Sequence, residues 1–245
     1  MRSDTSEPRL VPKREIDQAT GATEITYYWD GRLVPKVQVT GRLVEQLSGY
    51  SLMAKDLDSS LKWVHQAEGI ASKYRKTGAE GYFHTTARDD FDIVKAYFVA
   101  SLTFYGKCFT ESKGRHAQMA RSWLDAKYRD LHDDFMRYRH NFAAHSGDAR
   151  FEAAKTYVLV NPDKRDLLPY LPTARAQPDL VLPGQGELGF SDLIEHARDK
   201  VAERYNKVSQ KIIHELIVPA GVHYWTAAAA KGEPVELAAP PKSEP

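Results

Sequence analysis

The 245 residues, 42% hydrophobic and 27% charged, suffice for one substantial core with small appendages. A net charge of +1, from 34 basic and 33 acidic residues, leaves no long-range pull toward RNA or an anionic membrane, so any nucleic-acid contact needs a local patch or a partner. No apolar run reaches the roughly 20 residues of a membrane span, and Cys108, the one cysteine, excludes an intrachain disulfide.

Residues 1–20 are polar, carry Pro8 and Pro12 and lack the apolar stretch of a signal peptide. We expect a flexible lead-in and a cytoplasmic protein. Ile25–Trp29, Asp30-Gly31 and Arg32–Val34 predict a hairpin within 24–39. Asp-Gly suits the type I′ turn, where both central residues take positive φ, and Pro35 restricts the second strand to an edge.

Four helical segments follow. The first is expected from Leu52 to Tyr74, with Leu57, Leu61, Val64 and Ala67 on one face. The second opens at Asp89-Asp90 and carries Val94, Tyr97, Phe98, Ser101, Leu102 and Tyr105. Cys108 falls inside this apolar pattern and reads as a small core residue. The third, Ala117 to His145, places Leu124, Tyr128, Leu131, Phe135, Tyr138, Phe142 and His145 at alternating spacings of four and three, one side of a helix. The fourth starts at Ser191 as N-cap, carries Ile194, Ala197, Val201, Tyr205, Val208, Ile212 and Leu216, and stops at Pro219.

Between the third and fourth helices, residues 151–190 are too long for a structureless loop. Tyr157–Val160 and Leu180–Leu182 predict short strands in a β-bearing insertion packed on the bundle. The Ala-, Pro- and Glu-rich residues 220–245 predict a disordered tail. The expected fold is mainly α: one domain over 21–219, a bundle of about four long helices with an N-terminal hairpin.

Chemistry concentrates at the end of the third helix, in Phe135-Met136-Arg137-Tyr138-Arg139-His140-Asn141-Phe142-Ala143-Ala144-His145-Ser146-Gly147-Asp148. An imidazole can exchange a proton near neutral pH, worth about 10²–10⁴ in rate. A guanidinium can hold two phosphate oxygens and offset their growing charge. The spacing alone carries no information: with 17 arginines and 9 histidines, chance supplies about two such pairs. Context adds that His145 continues the apolar stripe and that Ser146-Gly147-Asp148 stops the helix, where polar groups become reachable. Six residues on an ideal helix separate the two side chains by about 120° and about 9 Å, so convergence needs long reach, a distorted helix end or a second subunit.

Arg139-His140-Asn141-Phe142-Ala143-Ala144-His145-Ser146 resembles the signature of the HEPN-domain family, most closely its abortive-infection, toxin-type group. His140-Asn141 stands where that group prefers Asn-Lys. The resemblance spans this motif and the helix order from Leu52 to Ile217, outside the hairpin and the tail. It implies a helical bundle that forms a homodimer with two motifs at one cleft. It also implies metal-independent RNA cleavage to 2′,3′-cyclic phosphate and 5′-hydroxyl ends, without a cofactor. By matching position His145 is the acid/base residue, Arg139 the phosphate ligand and His140 a supporting polar residue. Arg137, Asn141 and Ser146 are candidate RNA contacts. Family members include toxins and defence effectors with neutralising partner proteins, and inactive members that bind a partner protein or a nucleotide.

Against these stand plainer roles: a backbone-bonded core histidine for His145, an ordinary surface ion pair for Arg139, and, for His132, a solvated or structural role in place of lining the cleft. The strip Arg121, Lys127, Arg129, Arg137 and Arg139 is interrupted by Asp125, Asp130, Asp133 and Asp134, as on a solvated helix face. No zinc spacing, HExxH or phosphate-binding glycine loop is present, so no metal is expected.

Overall fold

The computed structural model describes residues 10–21, 23–73, 88–112, 114–140, 153–160, 170–176 and 188–237. It is mainly helical with an N-terminal antiparallel hairpin, as expected. The chain divides into two units, residues 1–45 with 208–245, and residues 46–207. Among the described residues, no helix is long and apolar enough to cross a membrane.

In the first unit, β1 (Leu10–Ile16) pairs antiparallel with β2 (Thr23–Trp29), and β2 with β3 (Arg32–Leu33). Asp30 and Gly31 take φ of 47° and 77°, the double positive φ that the type I′ turn demands. The strand preceding Pro35 lies at the sheet edge. Part of the expected flexible lead-in is thus strand: β2 offers a ladder along Thr23–Trp29, and Pro12 is tolerated because β1 is the opposite edge. β4 (Val39–Thr40) pairs parallel with β7 (Val235–Glu236).

The expected tail is also structured as far as it is described. The helical path runs just past Pro219: a π-type turn over Ile213–Ile217 leads into α5 (Val218–Lys231), which is broken at Gly221, with φ 77° and ψ 159°, two residues after the proline, before helix resumes to Lys231. Trp225 Nε1 donates to the Ile217 carbonyl at 2.8 Å across that junction.

The second unit is a helical bundle. α1 (Arg42–Ser72) begins ten residues before the expected start. Its Gly49 marks a close approach and not a break, since a Cβ there would lie 2.7 Å from Ala117 Cβ. The predicted face of Leu57, Leu61, Val64 and Ala67 is buried. α2 (Arg88–Cys108) runs antiparallel to α1, with Ser60 and Ser101 exchanging hydroxyl hydrogen bonds to each other's carbonyls at 2.7 and 2.8 Å. Val94, Phe98, Leu102, Tyr105 and Cys108 are buried, and burial raises the Cys108 thiol to about 12, as befits a core residue.

α3 (Ala126–Tyr138) starts nine residues after the predicted Ala117, and the predicted end over 141–145 lies outside the described residues. Residues 117–120 have no regular secondary structure and Arg121–Trp123 form one 3-10 turn. Leu124, counted in the helical stripe, is buried from the connection instead. Tyr128, His132 and Phe135 form the buried face of α3.

β5 (Ala153–Thr156) and β6 (Thr173–Ala176) form an antiparallel pair extended by a bridge between Leu159 and Tyr170. The insertion is β-bearing as expected, but its strands are displaced from Tyr157–Val160, and Leu180–Leu182 lie outside the described residues. Tyr157, Val158, Leu159, Val160, Tyr170 and Leu171 are exposed, contrary to the expected packing on the bundle. The two strands satisfy each other's backbone groups and need no helix to do so.

α4 (Phe190–Ile212) returns antiparallel to α1, with Ser191 Oγ 3.0 Å from Glu68 Oε1 and Arg198 3.8 Å from Asp58. Ser191 therefore does not cap it. Asp192 accepts the Gly189 amide hydrogen at 2.6 Å, the reach-back half of a capping box.

Candidate functional site

α3 carries the predicted motif to the edge of the described chain. The Arg139 amide shares its hydrogen between the Phe135 and Met136 carbonyls, and Arg139-His140 continue the helix as a widened π-type turn. Such turns distort the regular 3.6-residue progression and shift side chains around the axis. His145, Asn141 and Ser146 lie outside the described residues, so the arginine–histidine separation is not among the observed distances. His140 is exposed.

Arg139 is half-buried, and its stem crosses α2 at Gly106. A Cβ on Gly106 would overlap Arg139 Cδ and Nε and lie 3.2 Å from Cζ. The Arg139 stem thus rests against the last turn of α2, the negative end of that helix's dipole. No carboxylate among the described residues pairs with it.

The other arginines of this unit with described side chains are engaged. Arg115 is bound to Asp56, and Arg121 grips Asp133 with Nε and Nη2 at 2.8 and 2.6 Å. Arg129 donates to the Leu124 carbonyl at 2.9 Å, and Arg137 pairs with Asp134 one turn away. Arg198 faces Asp58, and Arg204 lies 3.6 Å over the Trp123 ring. The basic strip is thus largely neutralised, as its interleaved aspartates suggested, and Arg137 is committed to a neighbour. Arg139 stands apart from that pattern.

Beneath it runs an aromatic cluster. Phe190 stacks on Phe135 at 4.0 Å, with Phe98 and Tyr105 against its edge at 6.0 and 5.4 Å. His132, two turns before Arg139 on α3, is 5% exposed, and its Nδ1 lies 2.8 Å from the Tyr105 hydroxyl. Burial lowers the His132 pKa, with Asp133 opposing and Arg121 assisting, and burial raises that of Tyr105. A neutral imidazole bonded to a neutral phenol is a structural pair joining α2 to α3. Of the two roles weighed for His132, the structural one matches this burial.

Sequence reasoning missed Gly106 and Tyr105 as neighbours of the motif. The only available signal was a glycine inside an apolar helical pattern, which hints at close backbone approach without naming the visitor. Among the described residues, no group of three His, Cys, Asp or Glu side chains is arranged to hold a metal ion. Comparison of the chain with models of known families, with characterised proteins and with solved structures finds no match to any of them.

Proposed function

We propose that the chain is a metal-independent HEPN-like endoribonuclease. Arg139 is its phosphate ligand and His145 its acid/base residue. The observation that carries the reading is the state of Arg139: a half-buried arginine, held against α2 without a carboxylate partner among the described residues, heading the motif that ends in His145. A cation so placed suits an anion supplied from outside, and a phosphodiester presents the oxygen pair that a guanidinium fork matches.

In the reaction, the RNA 2′-oxygen attacks the adjacent phosphorus and the bond to the 5′-oxygen breaks. The 2′-hydroxyl loses a proton and the departing 5′-oxygen gains one, leaving a 2′,3′-cyclic phosphate and a 5′-hydroxyl. His145 serves these transfers while Arg139 neutralises the charge gathering on the non-bridging oxygens. The widened turn at Arg139-His140 supplies one of the three routes to convergence, a distorted helix end. By resemblance the enzyme is a cytoplasmic homodimer acting in a toxin or phage-defence setting, restrained by a neutralising partner protein.

The test is purified protein with RNA in EDTA, beside His145→Ala and Arg139→Ala. Cleavage to cyclic-phosphate ends that falls about 10²–10⁴-fold in His145→Ala is expected. Activity that requires added metal, or that is undiminished in the variant, rejects the mechanism.

The neutralised strip favours a second reading. With Arg121 and Arg137 tied to Asp133 and Asp134, a catalytically inactive HEPN-like module binding a partner protein or a nucleotide needs no extended basic surface. Intact RNA after incubation with a dimeric protein, together with saturable nucleotide binding, would select it.

A further inference from the structure

Gly106 lies in the last turn of α2, a helix whose register otherwise places Leu102, Tyr105 and Cys108 in the core. Glycine is the weakest ordinary helix former, so its presence there calls for a compensating contact. The contact is Arg139: the space a Cβ would fill at position 106 is occupied by Arg139 Cδ and Nε, with Cζ 3.2 Å from it. A long side chain laid in a slot loses most of its rotamers before any ligand arrives, so less entropy is lost on binding.

We infer that Gly106 is a positioning residue for Arg139, forming the slot that orients the guanidinium toward a phosphate. The inference rests on the reading of Arg139 as a phosphate ligand. Any side chain at 106 lifts the arginine stem off α2 and swings the fork away from the bound anion, while α2 itself, at an ordinary helical position, accepts alanine.

Two measurements on the full chain test this independently of cleavage. The first is a thermal-unfolding cycle of the wild type, Gly106→Ala, Arg139→Ala and the double variant. With Arg139 present, Gly106→Ala is expected to lower Tm; in the Arg139→Ala background the same change is expected to be neutral or stabilising, because the overlap is gone and alanine favours the helix. An equal loss in both backgrounds overturns the slot.

The second is binding of a fluorescent 2′-O-methyl oligoribonucleotide, which has no nucleophile and stays intact. Gly106→Ala is expected to weaken binding about tenfold and to reduce the slope of log affinity against log salt by about 0.7, one phosphate contact on a single strand. Arg139→Ala should match it, and the double variant should add nothing. Wild-type affinity and slope in Gly106→Ala overturn the positioning role. Failure of the wild type to cleave unmodified RNA, with these two results as expected, sinks the ribonuclease reading and leaves the slot standing.

Discussion

Asp56→Asn probes the charge cluster that ties the connection before α3 to the bundle. Asp56 is fully buried on α1 and contacted by Arg115 at its Oδ2, with Lys107 Nζ 3.5 Å from the same oxygen. Lys55 Nζ lies 3.0 Å from Oδ1, off the hydrogen-bonding direction, so among the described residues this oxygen has no hydrogen-bond partner. Lys55 and Lys107 are 63% and 46% exposed, so losing Asp56 leaves their charges in water at little cost. Arg115 is 10% exposed, and neutralising Asp56 strands its charge. Removing one partner of a buried pair costs about 3–5 kcal/mol. Asparagine keeps the volume and one acceptor, which argues for about 3 kcal/mol. For a chain of this length that is a loss of about 6–12 °C in Tm.

Burial alone would raise the Asp56 carboxyl, but Lys55, Arg115 and Lys107 outweigh it and hold the pKa below the ordinary aspartate range. A depressed carboxylate contributes stability above its unfolded pKa and loses it as pH falls through the folded one, so Asp56→Asn should also flatten the acid limb of the stability profile. Thermal melts read both effects. A shift under about 2 °C, or a double variant with Arg115→Gln showing strict additivity, refutes the account.

Gly49→Ala should lower stability by about 1–3 kcal/mol despite alanine's better helix propensity, because its Cβ meets Ala117 Cβ at 2.7 Å; urea midpoints should show Ala117→Gly recovering most of the loss. Stability should fall as pH drops below about 6.5, since burial depresses both His132 and His196 and the unfolded chain then binds more protons than the folded one. His196 reinforces this: Nε2 accepts the Asp125 amide hydrogen at 3.1 Å, which a protonated ring cannot do. Urea titrations across that range should flatten in a His132→Gln/His196→Gln variant, and an unchanged slope would remove both histidines from the explanation.

Helix boundaries were the least legible part of the chain. The stripe through Leu124, Tyr128, Leu131 and Phe135 identified α3 correctly, yet it overran the N-terminus. Leu124 is buried from an extended segment, and burial alone cannot distinguish the two origins. The first helix was started too late, at Leu52, and Pro219 was read as the stop of the last, where the break falls two residues on, at Gly221 with φ 77°. The Asp30-Gly31 turn was readable because its information is local: two residues that tolerate positive φ suffice. Of the site, the sequence placed Arg139 at the end of a helix, but not its seat against Gly106.

What the amino-acid order determined alone is therefore what depends on neighbours along the chain: helix identity, the hairpin turn, the apolar faces of α1, α2 and α4, and the clustering of Arg137, Arg139, His140 and His145. Only the tertiary structure decided which arginines are consumed by aspartates, that Tyr105 reaches His132, and that Gly106 admits the Arg139 stem. The last two outcomes depend on side chains 27 and 33 positions apart meeting across a helix–helix contact. A spacing rule based on 3.6 residues per turn carries information within one helix and none about the helix it will face.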